Sequence, residues 1–177
     1  MPDNEVVAQV AVSLDLYIAE DDGGVDFLEK HSVADYDFDA FSETIGGLVI
    51  GSTTYVQAVG FGWVWDDLPT LVLTSRDDLP TPDGADVRFA AMPTPEAIRS
   101  FSAETPKRLW VMGGGRVISE GLAGGAIDTL DLMVMPEVLG SGIPLFAEPY
   151  DGPMRLVTTE HYEGDAVRVV YETSDRD

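Results

Sequence analysis

Leu109 to Ile118 reads Leu-Trp-Val-Met-Gly-Gly-Gly-Arg-Val-Ile, an apolar run that stops at three consecutive glycines and resumes as a helix-like segment ending near Gly121. The pattern predicts a buried strand, a turn without side chains, and a helix whose first turn faces the strand's end. A helix start of this kind offers unpaired N–H groups and the positive end of a dipole, which suits a phosphate or pyrophosphate. The missing side chains let a ligand reach the backbone. A tight strand–helix connection with no ligand fits the same residues, and both readings stand at this point.

The same alternation extends on both sides. Val6 to Val12 has the composition of a buried strand, and Leu48 to Ile50 forms a second ending at Gly51. Phe38, Phe41 and Ile45 are spaced as on one helix face, with Asp37 or Asp39 placed to cap it. Ser52, Thr53 and Thr54 are expected to cap a helix carrying Tyr55, Val56 and Val59. Thr70 to Thr74, Val87 to Ala90 and Leu130 to Val134 read as further strands. Pro93 and Pro95 open a helix through Ile98 and Phe101, and Val117 to Leu122 forms the helix after the glycines. Met154 to His161 and Ala166 to Tyr171 read as a hairpin turning at Glu163-Gly164-Asp165. The expectation is one α/β domain over residues 1–177: a three-layer α/β/α arrangement around a mostly parallel central sheet, closed by a C-terminal antiparallel hairpin.

Charge narrows the partners. Asp and Glu number 32 against 10 Lys and Arg, a net charge of -22, and the acids are dispersed from Asp21-Asp22 to Asp175. At molar salt the screening length falls to ~3 Å, so such a surface is tolerated there; a halophilic source is the expectation. No basic stripe exists to neutralise phosphates, which argues against nucleic acid as a partner. Cysteine is absent, so thiolate chemistry and disulfides are excluded. His31 and His161 lack ligand-like spacing, and no metal is expected. Met1 to Glu5 shows no basic leader segment, and no apolar run approaches the ~18 residues that span a bilayer. A cytoplasmic protein without membrane contact is expected.

If the strands are parallel, three short turns meet along one sheet edge: Gly51-Ser52-Thr53-Thr54, Thr74-Ser75-Arg76 and Gly113-Gly114-Gly115-Arg116. Backbone donors, hydroxyls and two arginines would then converge on a dinucleotide-sized ligand.

These segments resemble the dihydrofolate reductase superfamily, and within it the riboflavin-biosynthesis reductase branch, the RibD C-terminal domain. Val10 to Ala19, with Ser13-Leu14-Asp15, is similar to that branch's first-strand motif, and Val49 to Tyr55 to its Met-Gly-Arg-x-Thr-Tyr segment. Leu73-Thr74-Ser75-Arg76, Trp110 to Gly115, Ile127 to Leu130 and Leu139 to Phe146 match its later motifs in order. The resemblance implies a dihydrofolate reductase-like fold, NADPH as hydride donor and a homodimer, to which the apolar Ile143 to Phe146 would contribute. It places Ala11 and Ile18 beside the nicotinamide, and Thr54 with Gly113, Gly114, Gly115, Arg116 and Val117 at the pyrophosphate. Ser75 and Arg76 would hold the 2′-phosphate, and a cis peptide is implied between Gly113 and Gly114.

Several positions depart from the family pattern. Ser52 replaces an arginine, Gln9 a lysine, and Thr129 a carboxylate near the substrate; Leu16 replaces a glycine, so its turn is expected to avoid positive φ. Dihydrofolate reductases carry a proton-donating carboxylate before the second strand, a position that falls on Asp35, or on Asp37 with a two-residue shift. Both acids fit equally well as solvated loop residues. Asp15 fits a role bonding nearby backbone. Phe61-Gly62-Trp63-Val64-Trp65 could stack on a flat substrate, cover the core or form an interface. The expected activity is NADPH-dependent reduction of a pteridine- or pyrimidine-type heterocycle, of which 5-amino-6-(5-phosphoribosylamino)uracil reduction is the nearest described and dihydrofolate reduction the alternative. A nucleotide-binding protein without catalysis is the reading from another class, and a purely structural acidic subunit would leave the three turns unexplained.

Overall fold

The computed structural model describes residues 4–173; Met1 to Asp3 of the segment read for a leader, and Asp175 among the dispersed acids, lie outside the described residues. The strands are β1 (Val6–Val12), β2 (Tyr17–Ala19), β3 (Ile45–Gly51), β4 (Thr70–Leu73), β5 (Val87–Ala90), β6 (Arg108–Gly113), β7 (Thr129–Val134), β8 (Ile143–Pro144), β9 (Met154–His161) and β10 (Val167–Thr173). The helices are α1 (Asp26–Glu29), α2 (Phe38–Glu43), α3 (Ser52–Phe61), α4 (Thr94–Glu104) and α5 (Gly115–Ala123).

Eight strands form one sheet in the order β5-β4-β3-β6-β1-β7-β10-β9. The pairs from β5 across to β7 are all parallel, and β10 pairs antiparallel with β7 and β9. The mostly parallel sheet and its closing hairpin are therefore as expected from the sequence. Alternate residues of the strands separate the layers. Val49, Leu71 and Val111 face Ala97, Ile98 and Phe101 of α4 and Ile118 and Leu122 of α5. On the opposite face, Leu48 and Trp110 meet Phe41 of α2, Ile50 and Val72 meet Tyr55 of α3, and Met133 meets Phe27 of α1. Burial of a side chain as complete as that of Phe27 is worth roughly 1.5–3 kcal/mol.

The differences from the sequence expectations are local. Ile45 opens β3 instead of continuing the helix of Phe38 and Phe41, because Thr44 ends α2 by bonding back to the Phe41 carbonyl. Asp37 does cap α2, accepting from Ala40 N at 2.8 Å. Ser52, Thr53 and Thr54 are in the first turn of α3 and do not cap it; Gly51 stands at the cap position with no side chain to offer. The short β2–β8 ladder and α1 carry too few residues for periodicity to reveal them. Leu16 has φ +62°, contrary to the expectation that its turn would avoid that region. Asp15 and the β2–β8 ladder fix the turn from both sides: Leu16 N donates to Ser13 O, and Leu145 N donates to Leu16 O, each at 2.9 Å.

At the amino ends of the strands the polar groups are closed in. Thr129 Oγ1 donates to Glu5 Oε1, and Arg108 Nε stands 2.8 Å from Glu5 Oε2 in a buried ion pair whose N–H is not aimed at the oxygen. Thr129 therefore does not mark a substrate position. It opens β7 opposite Val7, at the end of the sheet away from the glycine turns, and Glu5 supplies a carboxylate from the neighbouring chain segment.

Candidate active site

Because β1, β3, β4, β5 and β6 run in parallel, their carboxyl ends open together. A cleft of about 610 Å³ lies there, lined by Val10, Gly51, Leu73, Ala90 and Met112 at or near these ends. The three predicted turns reach it as well, through Ser52, Thr53, Thr54, Thr74, Ser75, Gly114, Gly115, Arg116 and Val117. Of the helices that begin at its wall, α3 at Ser52 and α5 at Gly115 directly follow strands β3 and β6, and neither has a side-chain cap. Their first-turn N–H groups thus stay open towards the cleft, and both dipoles present their positive ends to it. The donor set suits a bridged diphosphate: a bare backbone, hydroxyls and one exposed guanidinium, that of Arg116.

The local sequence explains why the turns come this close. Gly113 has φ +124° and is joined to Gly114 by a cis peptide. A Cβ on Gly115 would lie 2.1 Å from the Pro144 carbonyl oxygen, so only glycine lets α5 start against β8. Arg116 extends outward, bonded by Nε to Glu120 Oε1 at 2.6 Å one helical turn on. Glu120, which also lines the cleft, accepts from Thr94 Oγ1. Partial burial pushes its carboxyl up, but the Thr94 and Arg116 hydrogen bonds outweigh this and hold it below the usual glutamate value.

The remaining predicted positions fall near the cleft or away from it. Ile18 lines it. Ala11 instead packs beside Phe27 and Met133 on the other face of β1, and Gly113 is buried behind Gly114. Arg76 lines an adjoining cavity with Thr74 and Ser75, its guanidinium paired to both Asp78 oxygens at 3.0 and 3.1 Å. Neither Asp35 nor Asp37 is brought to the cleft. Asp37 is engaged as the cap of α2, and Asp35 accepts from Glu163 N at 3.1 Å in an exposed loop. Ile143 to Phe146 is used within the chain: Leu145 is fully buried and Phe146 packs on the main core. In the aromatic segment, Trp63 packs edge-on against Tyr55 and Trp65, and Trp65 against Trp110, which covers the sheet; Phe61 and Val64 remain exposed.

A second polar group lies across β1 from the cleft. Gln9 Nε2 donates to the Tyr36 hydroxyl. Arg168 on β10 grips buried Asp131 on β7 with two bonds of 2.8 and 2.7 Å. Sequence reasoning missed Tyr36, Asp131, Arg168 and Glu120. Asp131 and Arg168 had a legible signal, since an acid or a base inside an apolar strand is buried only when paired. Glu120 had one too, four residues after Arg116. Tyr36 had none. Among the described residues no helix is long and apolar enough to cross a membrane, and no group of three or more His, Cys, Asp or Glu could hold a metal.

Comparison with known proteins agrees with this geometry. The uncharacterized protein YwjB of Bacillus subtilis is 31% identical over 177 residues, covering 96% of this chain and 98% of that protein. A crystal structure of a provisionally named riboflavin biosynthesis protein from Shewanella sp. PV-4 superposes with a TM-score of 0.85 at 25% identity, covering 97% of this chain and 99% of the other. Dihydrofolate reductase from Enterococcus faecalis, solved with NADP(H), shares the fold with a TM-score of 0.65 at 21% identity, covering 98% of each chain. The sequence profile of the RibD C-terminal domain matches residues 55–168, and the chain belongs to that family.

Proposed function

We propose that this protein is an NADPH-dependent reductase of a flat pteridine- or pyrimidine-type heterocycle, with 5-amino-6-(5-phosphoribosylamino)uracil reduction the nearest described activity and dihydrofolate the alternative substrate. One observation carries the proposal: two uncapped helix starts and three hydroxyl- or glycine-bearing turns line a single cleft at the carboxyl ends of parallel strands. When bound, the dinucleotide would supply a hydride. The chain's own residues bind and orient. The α3 and α5 first turns with Thr54 receive the pyrophosphate, Ile18 and Val10 form an apolar wall for the nicotinamide, and Arg76 meets the 2′-phosphate. Arg76 must exchange Asp78 for that phosphate, a trade favoured by the larger charge of a dianion.

NADPH titration in molar KCl, with NADH and Arg76→Ala as comparisons, tests this. Micromolar NADPH binding weakened about tenfold by loss of Arg76, with NADH unaffected, is the expected result. Absence of binding by folded protein would sink the reductase reading. The absence of Asp35 and Asp37 from the cleft favours a second reading, a nucleotide-binding protein without catalysis. Binding without oxidation of NADPH across a heterocycle panel would support it.

A further inference from the structure

β1 is a central strand, flanked by β6 and β7, and such strands are ordinarily covered on both faces. Val7 and Ala8 follow that rule and are fully buried. Gln9, Val10 and Ala11 do not: all three are only half-buried. Val10 lines the dinucleotide cleft, but Gln9 and Ala11 point to the opposite face, so over these three residues the strand is incompletely covered on both sides before Val12 is buried again. The β1–β6 ladder ends at Val7 and Trp110, and Met112, farther along β6, both lines the cleft and packs in the same cluster as Tyr36.

The groups on this second opening are held firmly. Trp110 Nε1 donates to the Gln9 carbonyl at 3.0 Å, and the Gln9 amide donates to the Tyr36 hydroxyl. The Tyr36 ring is held edge-on by Tyr162 at 5.6 Å, and the Arg168 guanidinium lies 5.7 Å from its centroid. Arg168 is itself fixed by Asp131 and by Glu160. The Tyr36 oxygen accepts a hydrogen bond, yet its own proton goes to no acceptor among the described residues. A positioned phenol with an unused donor, beside an incompletely covered stretch of strand, is poised for a ligand.

We propose that Tyr36 is the proton donor, and Gln9 its orienting amide, for a heterocycle bound on this open face of β1; the assignment rests on the reductase reading above. The carbon of a substrate C=N or C=O bond accepts a hydride from a dihydronicotinamide, whose ring is thereby oxidised. The π electron pair moves to the heteroatom, which forms its new bond to the Tyr36 proton. Solvent then returns a proton to the phenolate, which the partial exposure of Tyr36 permits. Burial first, and then the Asp131 charge, push the Tyr36 hydroxyl up to about 12, so it keeps its proton through the neutral range and yields it only to a strongly basic alkoxide or amide nitrogen. The Arg168 charge acts in the other direction and favours the phenolate as it forms. Asp35 and Asp37 line a shallow cavity with Tyr36, but their carboxylates are engaged by Glu163 N and Ala40 N, which leaves the phenol as the acid of this face.

The probes are 5,6-diaminouracil, used for binding alone because its urea and amide carbonyls take no hydride, and 7,8-dihydrofolate, whose C=N bond can be reduced, added to protein saturated with NADP+ for binding and with NADPH for turnover. Tryptophan fluorescence reports binding, since Trp110 contacts Gln9 directly. Tyr36→Phe is expected to leave dinucleotide affinity unchanged, to weaken the better-bound heterocycle about five- to tenfold, and to slow NADPH oxidation about 100-fold or more. Gln9→Leu is expected to weaken heterocycle binding with a smaller effect on kcat. Heterocycle affinity and turnover both retained in Tyr36→Phe would overturn the assignment. So would wild-type protein that binds NADPH but neither heterocycle, and that outcome leaves the dinucleotide site standing. Failure of wild-type protein to bind NADPH would instead bring down the reductase reading itself.

Discussion

The two ends of the parallel sheet treat their polar groups in opposite ways. At the amino ends, buried Glu5 engages both buried Thr129 and the largely enclosed Arg108, and Asp128 accepts from Val6 N at 2.8 Å. At the carboxyl ends, α3 and α5 start uncapped, Arg76 and Arg116 are exposed, and the Tyr36 proton has no acceptor among the described residues. Buried polar groups cost free energy unless they are paired, so the amino end is arranged for stability. Open donors in a concave site are tolerated where a ligand completes them, and the carboxyl end is arranged for binding. The contrast predicts that the two ends separate under mutation.

The largest effect is expected at the amino end. Glu5→Ala leaves the Arg108 guanidinium buried without its counter-charge, which should cost roughly 3–5 kcal/mol in urea unfolding. NADPH affinity of the folded fraction should not change. Loss of stability with an equal loss of affinity would show that the ends are coupled and break the comparison.

Salt should act on the exposed charge at either end and spare the buried pair. With a net charge of -22, raising KCl from low to molar concentration is expected to increase Tm by about 5 °C, or ~1–2 kcal/mol. The same gain should appear in Glu5→Ala, because that pair is shielded from solvent ions. A flat salt response would count against a halophilic adaptation of this surface.

The contrast also explains what the sequence made legible. Strands such as Val6–Val12 and Val87–Ala90 were readable to the residue, the first as an apolar run whose opening residues are buried within the sheet, the second, a half-exposed edge strand, as a short stretch between turn signals. The glycine turns were readable because only bare backbone fits there. What could not be read is what depends on approach through space: the Gln9–Tyr36 bond across 27 positions, the Glu5–Thr129 bond across 124, and the Asp35 carboxylate turned to Glu163 N. Counting back from Gly51 located Asp35 in the chain, but it could not show that the loop to α2 carries that side chain away from the cleft. Leu16 was misread for a related reason. Its left-handed backbone is held in part by Leu145, just after β8, which lies far along the chain.

The smallest effect expected belongs to Asp15, which departs from the contrast because it is a fully engaged polar group at the carboxyl end. Its carboxylate accepts from Ser13 Oγ at 2.7 Å, Leu139 N at 3.1 Å and Gly140 N at 2.7 Å. The Ser13 hydroxyl chiefly, joined by the Gly140 and Leu139 amides, outweighs the opposing effect of burial and holds its carboxyl below the usual aspartate value. A carboxyl lowered in the folded state adds stability that is complete above the unfolded value, near 3.9, and is lost as pH falls through the folded one. The amide resonances of Leu139 and Gly140 should therefore titrate together below about pH 4 and stop doing so in Asp15→Asn. This staple sits just before Ile143, which lines the cleft, so Asp15→Asn should weaken NADPH by roughly threefold while barely moving Tm. That result would refine the contrast: polar groups at the carboxyl end are paired where they hold a wall of the cleft, and left open where they face its ligand.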